Sequence, residues 1–178
     1  MRSREARTLL LVALVMTLVG AGGPARAGTG GVAVTLLDPV PAAFTPHVSH
    51  TLGLWVLEND VHPPVQAGSG RYGLSFTAPS GATTSFTAVR MKEQGHYAVA
   101  VSLAPGSYRV HALQGILAPF AIGTLAVPGA LKPDPLPRHL RDRDGLVVTD
   151  HWRQVRPPGF PSIGGGKVRI DADAMRIR

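Results

Sequence analysis

Five histidines lie in the apolar middle of the chain, at His47, His50, His62, His96 and His111. Imidazole binds copper and zinc well, and the 178-residue sequence holds no cysteine to compete. Met91 is the only methionine between residues 28 and 127, which leaves little for a soft Cu(I) site. His47 and His50 are three residues apart, so in extended backbone they point to opposite faces. His62 follows the next apolar run and meets them only if the loops at the two ends of that run bend back together. His47, His50 and His62 are therefore the candidate copper ligands of one reading, a periplasmic copper-handling accessory protein. His96 and His111 each alternate with apolar residues, which places both on solvent-facing sides of their strands, too far apart to chelate one ion. The plainer expectation is that all five are surface or loop histidines and that no cofactor is bound. A histidine brace at a processed amino terminus is excluded, because the cleavage described below exposes Gly28.

Catalytic patterns are weaker. Gly68-Ser69-Gly70 lacks the flanking residues of a nucleophile elbow and reads as a loop. Glu58 and Asp60 could form a carboxylate pair, but Asn59-Asp60 after a strand is ordinary turn chemistry. Gly164-Gly165-Gly166-Lys167 lacks the spacing of a phosphate-binding loop. The expectation is a protein that is not an enzyme.

These residues must be positioned by strands. Seven short segments rich in Val, Thr, Tyr and Phe, separated by Pro, Gly and Ser, span 32–37, 48–57, 72–77, 83–89, 96–103, 108–113 and 121–127. Their number and spacing predict an all-β fold, a seven-stranded immunoglobulin-like β-sandwich over residues 28–127. The run Leu52-Gly53-Leu54-Trp55-Val56-Leu57 is apolar on both faces, which predicts a central strand covered on both sides, with Trp55 as a core anchor. Tyr97, Val99, Val101 and Leu103 share one face, as do Tyr108, Val110 and Ala112. Between these segments Pro105-Gly106 suits a type II turn, which splays hairpin strands and so favours a crossover between sheets. Tyr97 and Tyr108 are then structural, Tyr108 placed where a tyrosine corner bonds its hydroxyl to backbone.

Charge divides the chain into three. Residues 1–27 carry four Arg and one Glu, residues 28–127 four basic and four acidic groups, and residues 128–178 ten basic and six acidic. A neutral middle removes the case for nucleic acid that the net charge of +7 raises. Residues 1–27 have a basic start, an 11-residue apolar run over 9–19 and a small-residue end at Ala25-Arg26-Ala27, the form of a secretory signal peptide cut after Ala27. Spanning a bilayer takes roughly 20 apolar residues, so a retained anchor is the lesser alternative. The mature chain is expected in the periplasm or cell envelope, or secreted. Residues 128–178, with seven Pro and six Gly, cannot build a separate core and read as a mostly disordered basic tail. Strand character at 146–148 and 168–170 allows a hairpin within it. Its charge allows weak, salt-dependent contact with an anionic envelope.

Taken together, Leu52-Gly53-Leu54-Trp55-Val56-Leu57-Glu58 with Pro63-Pro64, Ser85-Phe86-Thr87-Ala88, Gly95-His96-Tyr97, Pro105-Gly106-Ser107-Tyr108 and Pro119-Phe120 resemble the YtkA-like or FixH-like bacterial extracytoplasmic domains over about residues 30–127. The resemblance implies an extracytoplasmic immunoglobulin-like domain, often membrane-tethered and associated with copper handling or respiratory assembly. The combined expectation is an exported, non-catalytic module that binds or scaffolds an unknown protein or envelope partner.

Overall fold

The computed structural model describes residues 33–59, 61–64, 70–152, 154–161 and 165–175. The expected signal peptide over 1–27, and Asp60, Gly68, Ser69 and Gly164 of the motifs above, lie outside the described residues. No described helix is long and apolar enough to cross a membrane.

Among the described residues, eight strands precede residue 128: β1 (Ala33–Leu37), β2 (His50–Glu58), β3 (Arg71–Thr77), β4 (Thr83–Thr87), β5 (Val89–Arg90), β6 (His96–Val101), β7 (Gly106–Gly115) and β8 (Leu117–Val127). After it come β9 (Leu131–Pro133), the single turn α1 (Arg138–Arg141), β10 (Val147–Thr149) and β11 (Lys167–Arg169). One sheet has the order β1-β2-β6-β5, a second β4-β3-β7-β8-β9, and β10 pairs with β11. All pairs are antiparallel. The molecule is all-β and sandwich-like.

The two-residue period of each strand builds the core between the sheets. Leu54 and Val56 of β2 and Val99 and Val101 of β6 meet Leu74 and Phe76 of β3, Val110 of β7 and Ile122 and Leu125 of β8. Each such buried side chain contributes about 1.5–3 kcal/mol through area removed from water. The expected segment at 83–89 divides at Ala88. β4 pairs with β3, whereas β5 pairs with β6 in the other sheet. The Ala88 amide, donating to the Tyr72 carbonyl at 2.8 Å, marks the change of sheet.

β6 and β7 lie in different sheets, so the link between them is a crossover. Its backbone is not the expected type II turn, because Gly106 is extended at φ 159° and already opens β7. The Tyr108 hydroxyl donates to the Ala104 carbonyl at 2.9 Å and ties the crossover together. Tyr97 is buried and stacks on Tyr72, ring centroids 4.4 Å apart. Burial, with Tyr72 beside it, pushes the Tyr97 hydroxyl up to about 12.

Beyond Val127 the expectation of a mostly disordered tail is corrected. β9 extends the second sheet beside β8, and β10 with β11 forms a short ladder close to the expected hairpin. Leu140, Trp152, Phe160, Val168, Ile170 and Met175 are buried against Val34, Leu36, Trp55 and Leu57, forming a second apolar cluster. The reason is geometric. Alternation along β1 and β2 leaves Leu36, Trp55 and Leu57 pointing away from the first core, so the sheet supplies half of a second one. The sparse apolar residues after position 128 need supply only the other half. β2 is therefore central and covered on both faces, with Trp55 a core anchor only 1% exposed.

Candidate functional site

The outer face of the four-stranded sheet carries a polar cluster within its apolar cover. Register places Leu36 opposite Trp55 and Trp55 opposite His96, so the three side chains share that face. The Trp55 and His96 rings stack, centroids 3.8 Å apart and planes 5° from parallel. Asp38, just past β1, accepts from Trp55 Nε1 at 2.8 Å and lies 2.9 Å from His96 Nε2 through its other oxygen. Gly53 makes this possible. A Cβ built there would lie 1.9 Å from Asp38 Oδ2, so only glycine leaves room for the carboxylate over β2.

A carboxylate holding an imidazole is also the orienting half of a hydrolytic triad. Here the imidazole is walled in. Trp55 covers one ring face, and Trp152 packs edge-on against Trp55 at 5.4 Å. His96 Nδ1 is buried without a hydrogen bond among the described residues, its nearest charged neighbour Glu93 Oε2 at 3.8 Å. The arrangement clamps β1, β2 and β6 together on their outer face. The expectation that His96 faces solvent is thus corrected, because the segment after residue 128 covers the face to which it points.

The candidate copper ligands are not gathered. His50 opens β2, where its Nε2 accepts from the Thr45 amide at 3.1 Å and its ring lies 4.8 Å from Phe44. His47 is exposed nearby in a left-handed backbone conformation, φ 60°. His62 lies past the far end of β2, its carbonyl accepting from the Glu58 amide. Eight residue steps at ~3.3 Å put the two ends of the strand roughly 26 Å apart. His62 packs edge-on against His151, ring centroids 4.3 Å apart, and burial followed by the His151 charge lowers its pKa. Among the described residues no group of three or more His, Asp or Glu is placed to hold a metal ion. His111, on the other sheet, is half-buried, and burial followed by the nearby Arg109 charge lowers its pKa as well.

A groove of about 330 Å³ opens where β1, an edge of the first sheet, lies against β8 of the second. Leu36, Phe120, Ile122, Leu136 and Met175 contribute its apolar lining. Residues 133–137 form a strap along it, stiffened by Pro133, Pro135 and Pro137. The strap is fastened at Asp134. Its amide donates to the Ile122 carbonyl at 2.9 Å, and its carboxylate takes both arms of the Arg109 guanidinium, one of them at 2.9 Å. Those Arg109 hydrogen bonds hold the Asp134 pKa below the usual carboxylate range and raise that of Arg109.

Neither a protein-family model nor a curated protein sequence matches the chain. The functional reading therefore rests on geometry. Two features escape a reading of sequence: the Asp38–Trp55–His96 clamp and the strapped groove. Gly53 inside an otherwise apolar strand is a signal of close backbone or side-chain approach that points to the first. The alternating prolines at 133, 135 and 137 mark a stiff segment, but nothing in their spacing says which surface the segment crosses.

Proposed function

We propose that the chain is an exported, non-catalytic immunoglobulin-like module of the bacterial cell envelope, and that it binds its ligand in the strapped groove. The form of residues 1–27 supports export, and the spacing of the segments between 28 and 127, with the resemblance to YtkA-like domains, supports the immunoglobulin-like assignment. The observation that carries the binding function is the groove itself: a concave, largely apolar surface whose walls are fixed by hydrogen bonds independent of any ligand. Arg138 in the segment beside it, its side chain 88% exposed, supports accessory contact with anionic envelope polymers.

The test uses a small neutral apolar probe, 1-octanol, followed through backbone amide shifts in NMR. Saturable shifts should cluster at Leu36, Ala121 and Ile122 and disappear in Ala121→Trp, which fills the groove, while circular dichroism keeps the wild-type fold. Shifts that do not saturate, or that cluster away from the groove, overturn the reading. Export is tested separately by mass spectrometry of protein secreted from a bacterial host, where the expected mature terminus is Gly28.

A further inference from the structure

The chemistry of the lining narrows the ligand. Three residues with polar side chains line the groove: Thr35, Asp134 and Arg141. The first two are occupied. The Thr35 hydroxyl, 1% exposed, donates to Gln114 Oε1 at 2.9 Å, and Asp134 is held by both arms of Arg109. Thr35 is buried, and the charge of Asp134 is already balanced by Arg109. Arg141 differs: its side chain is exposed, and among the described residues no ion pair uses its guanidinium. The acids that follow it in sequence are engaged elsewhere, Asp142 with Arg138 at 3.6 Å and Asp144 with the Ala172 amide at 3.1 Å. The groove therefore presents an apolar trough with a cation at its edge that, among the described residues, no ion pair engages.

Resting on the proposed binding function, we infer that this groove takes a small amphiphile with an apolar tail and a single anionic head, the tail lying on the partly exposed Phe120, Ala121 and Leu136 and the head meeting Arg141. A guanidinium offers a planar fork that matches carboxylate or phosphate oxygens in pairs, which gives the head a defined position. The volume of about 330 Å³ sits at the small end of ligand pockets, ~300–1,000 Å³, which suits a medium-length chain and excludes a complete two-chain lipid or a polymer. A ligand with a cationic head is disfavoured by Arg141, and Asp134, its charge already balanced by Arg109, does not offset that.

Four probes of equal tail length separate the possibilities: octanoate, octyl phosphate, 1-octanol and octylammonium, titrated by NMR into the full chain at low ionic strength. The expected result is that one or both anions bind about tenfold more tightly than 1-octanol, with octylammonium weakest, and that added salt narrows the gap. Whichever anion binds more tightly identifies the head as carboxylate or phosphate. In Arg141→Gln the anions should fall to the affinity of 1-octanol, which itself should not change. Equal affinity of anions and 1-octanol in the wild type, or an anion preference that survives Arg141→Gln, overturns the assignment of the head while leaving the groove as a binding site. Failure of every probe, 1-octanol included, overturns the binding function itself.

Discussion

Replacing Gly53 by alanine should destabilise the protein although it adds a single methyl group to a β-strand. The backbone accepts alanine, since Gly53 is not among the positive-φ positions, and an unstrained Gly→Ala exchange normally gains about 0.4–1 kcal/mol through the unfolded chain. The new Cβ, however, would sit 1.9 Å from Asp38 Oδ2 and 2.7 Å from Asp38 Cγ, so the carboxylate must leave. Its departure strands the Trp55 indole N–H, a buried donor, at a cost of about 1–3 kcal/mol. Loss of the bond to His96 adds about 1 kcal/mol, kept at the low end because the Asp38 side chain is 35% exposed. The net expectation is a loss of about 2 kcal/mol, or about 4–8 °C in melting temperature for a chain of this size. Urea denaturation followed by tryptophan fluorescence is a direct assay, because both tryptophans, Trp55 and Trp152, lie in the outer cluster. The decisive comparison is the double-mutant cycle with Asp38→Ala. In that background Gly53→Ala has nothing to expel and should be neutral or slightly stabilising, a coupling of about 2 kcal/mol or more. If the full cost persists without the Asp38 side chain, the methyl is clashing with something else and the clamp explanation fails.

Three further outcomes are expected. Trp152→Ala should cost about 3–5 kcal/mol and expose the arginines between 138 and 156 to trypsin while strand circular dichroism is retained; a protease-resistant variant would mean the outer cluster does not hold the segment. Tyr108→Phe, which removes the hydroxyl bonded to Ala104, should lower stability by about 1 kcal/mol, and an unchanged melting temperature would count against a role in the crossover. Asp134→Asn should be destabilising at neutral pH and indistinguishable from wild type in strong acid. The folded carboxylate, held by Arg109, has the lower pKa, so its contribution is complete above the ordinary value of 3.8 and is lost as pH falls through that value toward the folded one; a deficit independent of pH would refute this.

The inner half of the structure was legible in the sequence because each of its strands carries its own signal. Alternation in 96–103 and 108–113 assigns one dry face to each strand, and a link that suits a crossover separates them into two sheets. The unbroken apolar run around Trp55 announced a second cover before anything identified it. What supplied that cover was not legible, because Leu140, Trp152, Phe160, Val168 and Met175 follow neither a two-residue nor a 3.6-residue period. They come from turns and short bridges, and each is explained only by the residue it meets across the interface. The same gap hid the burial of His96. Alternation correctly put it on the face opposite Tyr97, but whether that face was wet depended on residues more than 50 positions away. The groove inherits the problem, since its strap belongs to the segment whose path the local sequence does not encode.

The order in which the two clusters can close follows from their place along the chain. Every strand of the inner core lies at or before Val127, so the two sheets can pair and pack before the remainder docks. The outer cluster needs residues as late as Val168, Ile170 and Met175. Until these arrive, Leu36, Trp55 and Leu57 form an uncovered apolar stripe on a sheet that is otherwise complete. Any truncation chosen at that apparent domain boundary would therefore leave a paired but adhesive sandwich, its outer stripe permanently uncovered.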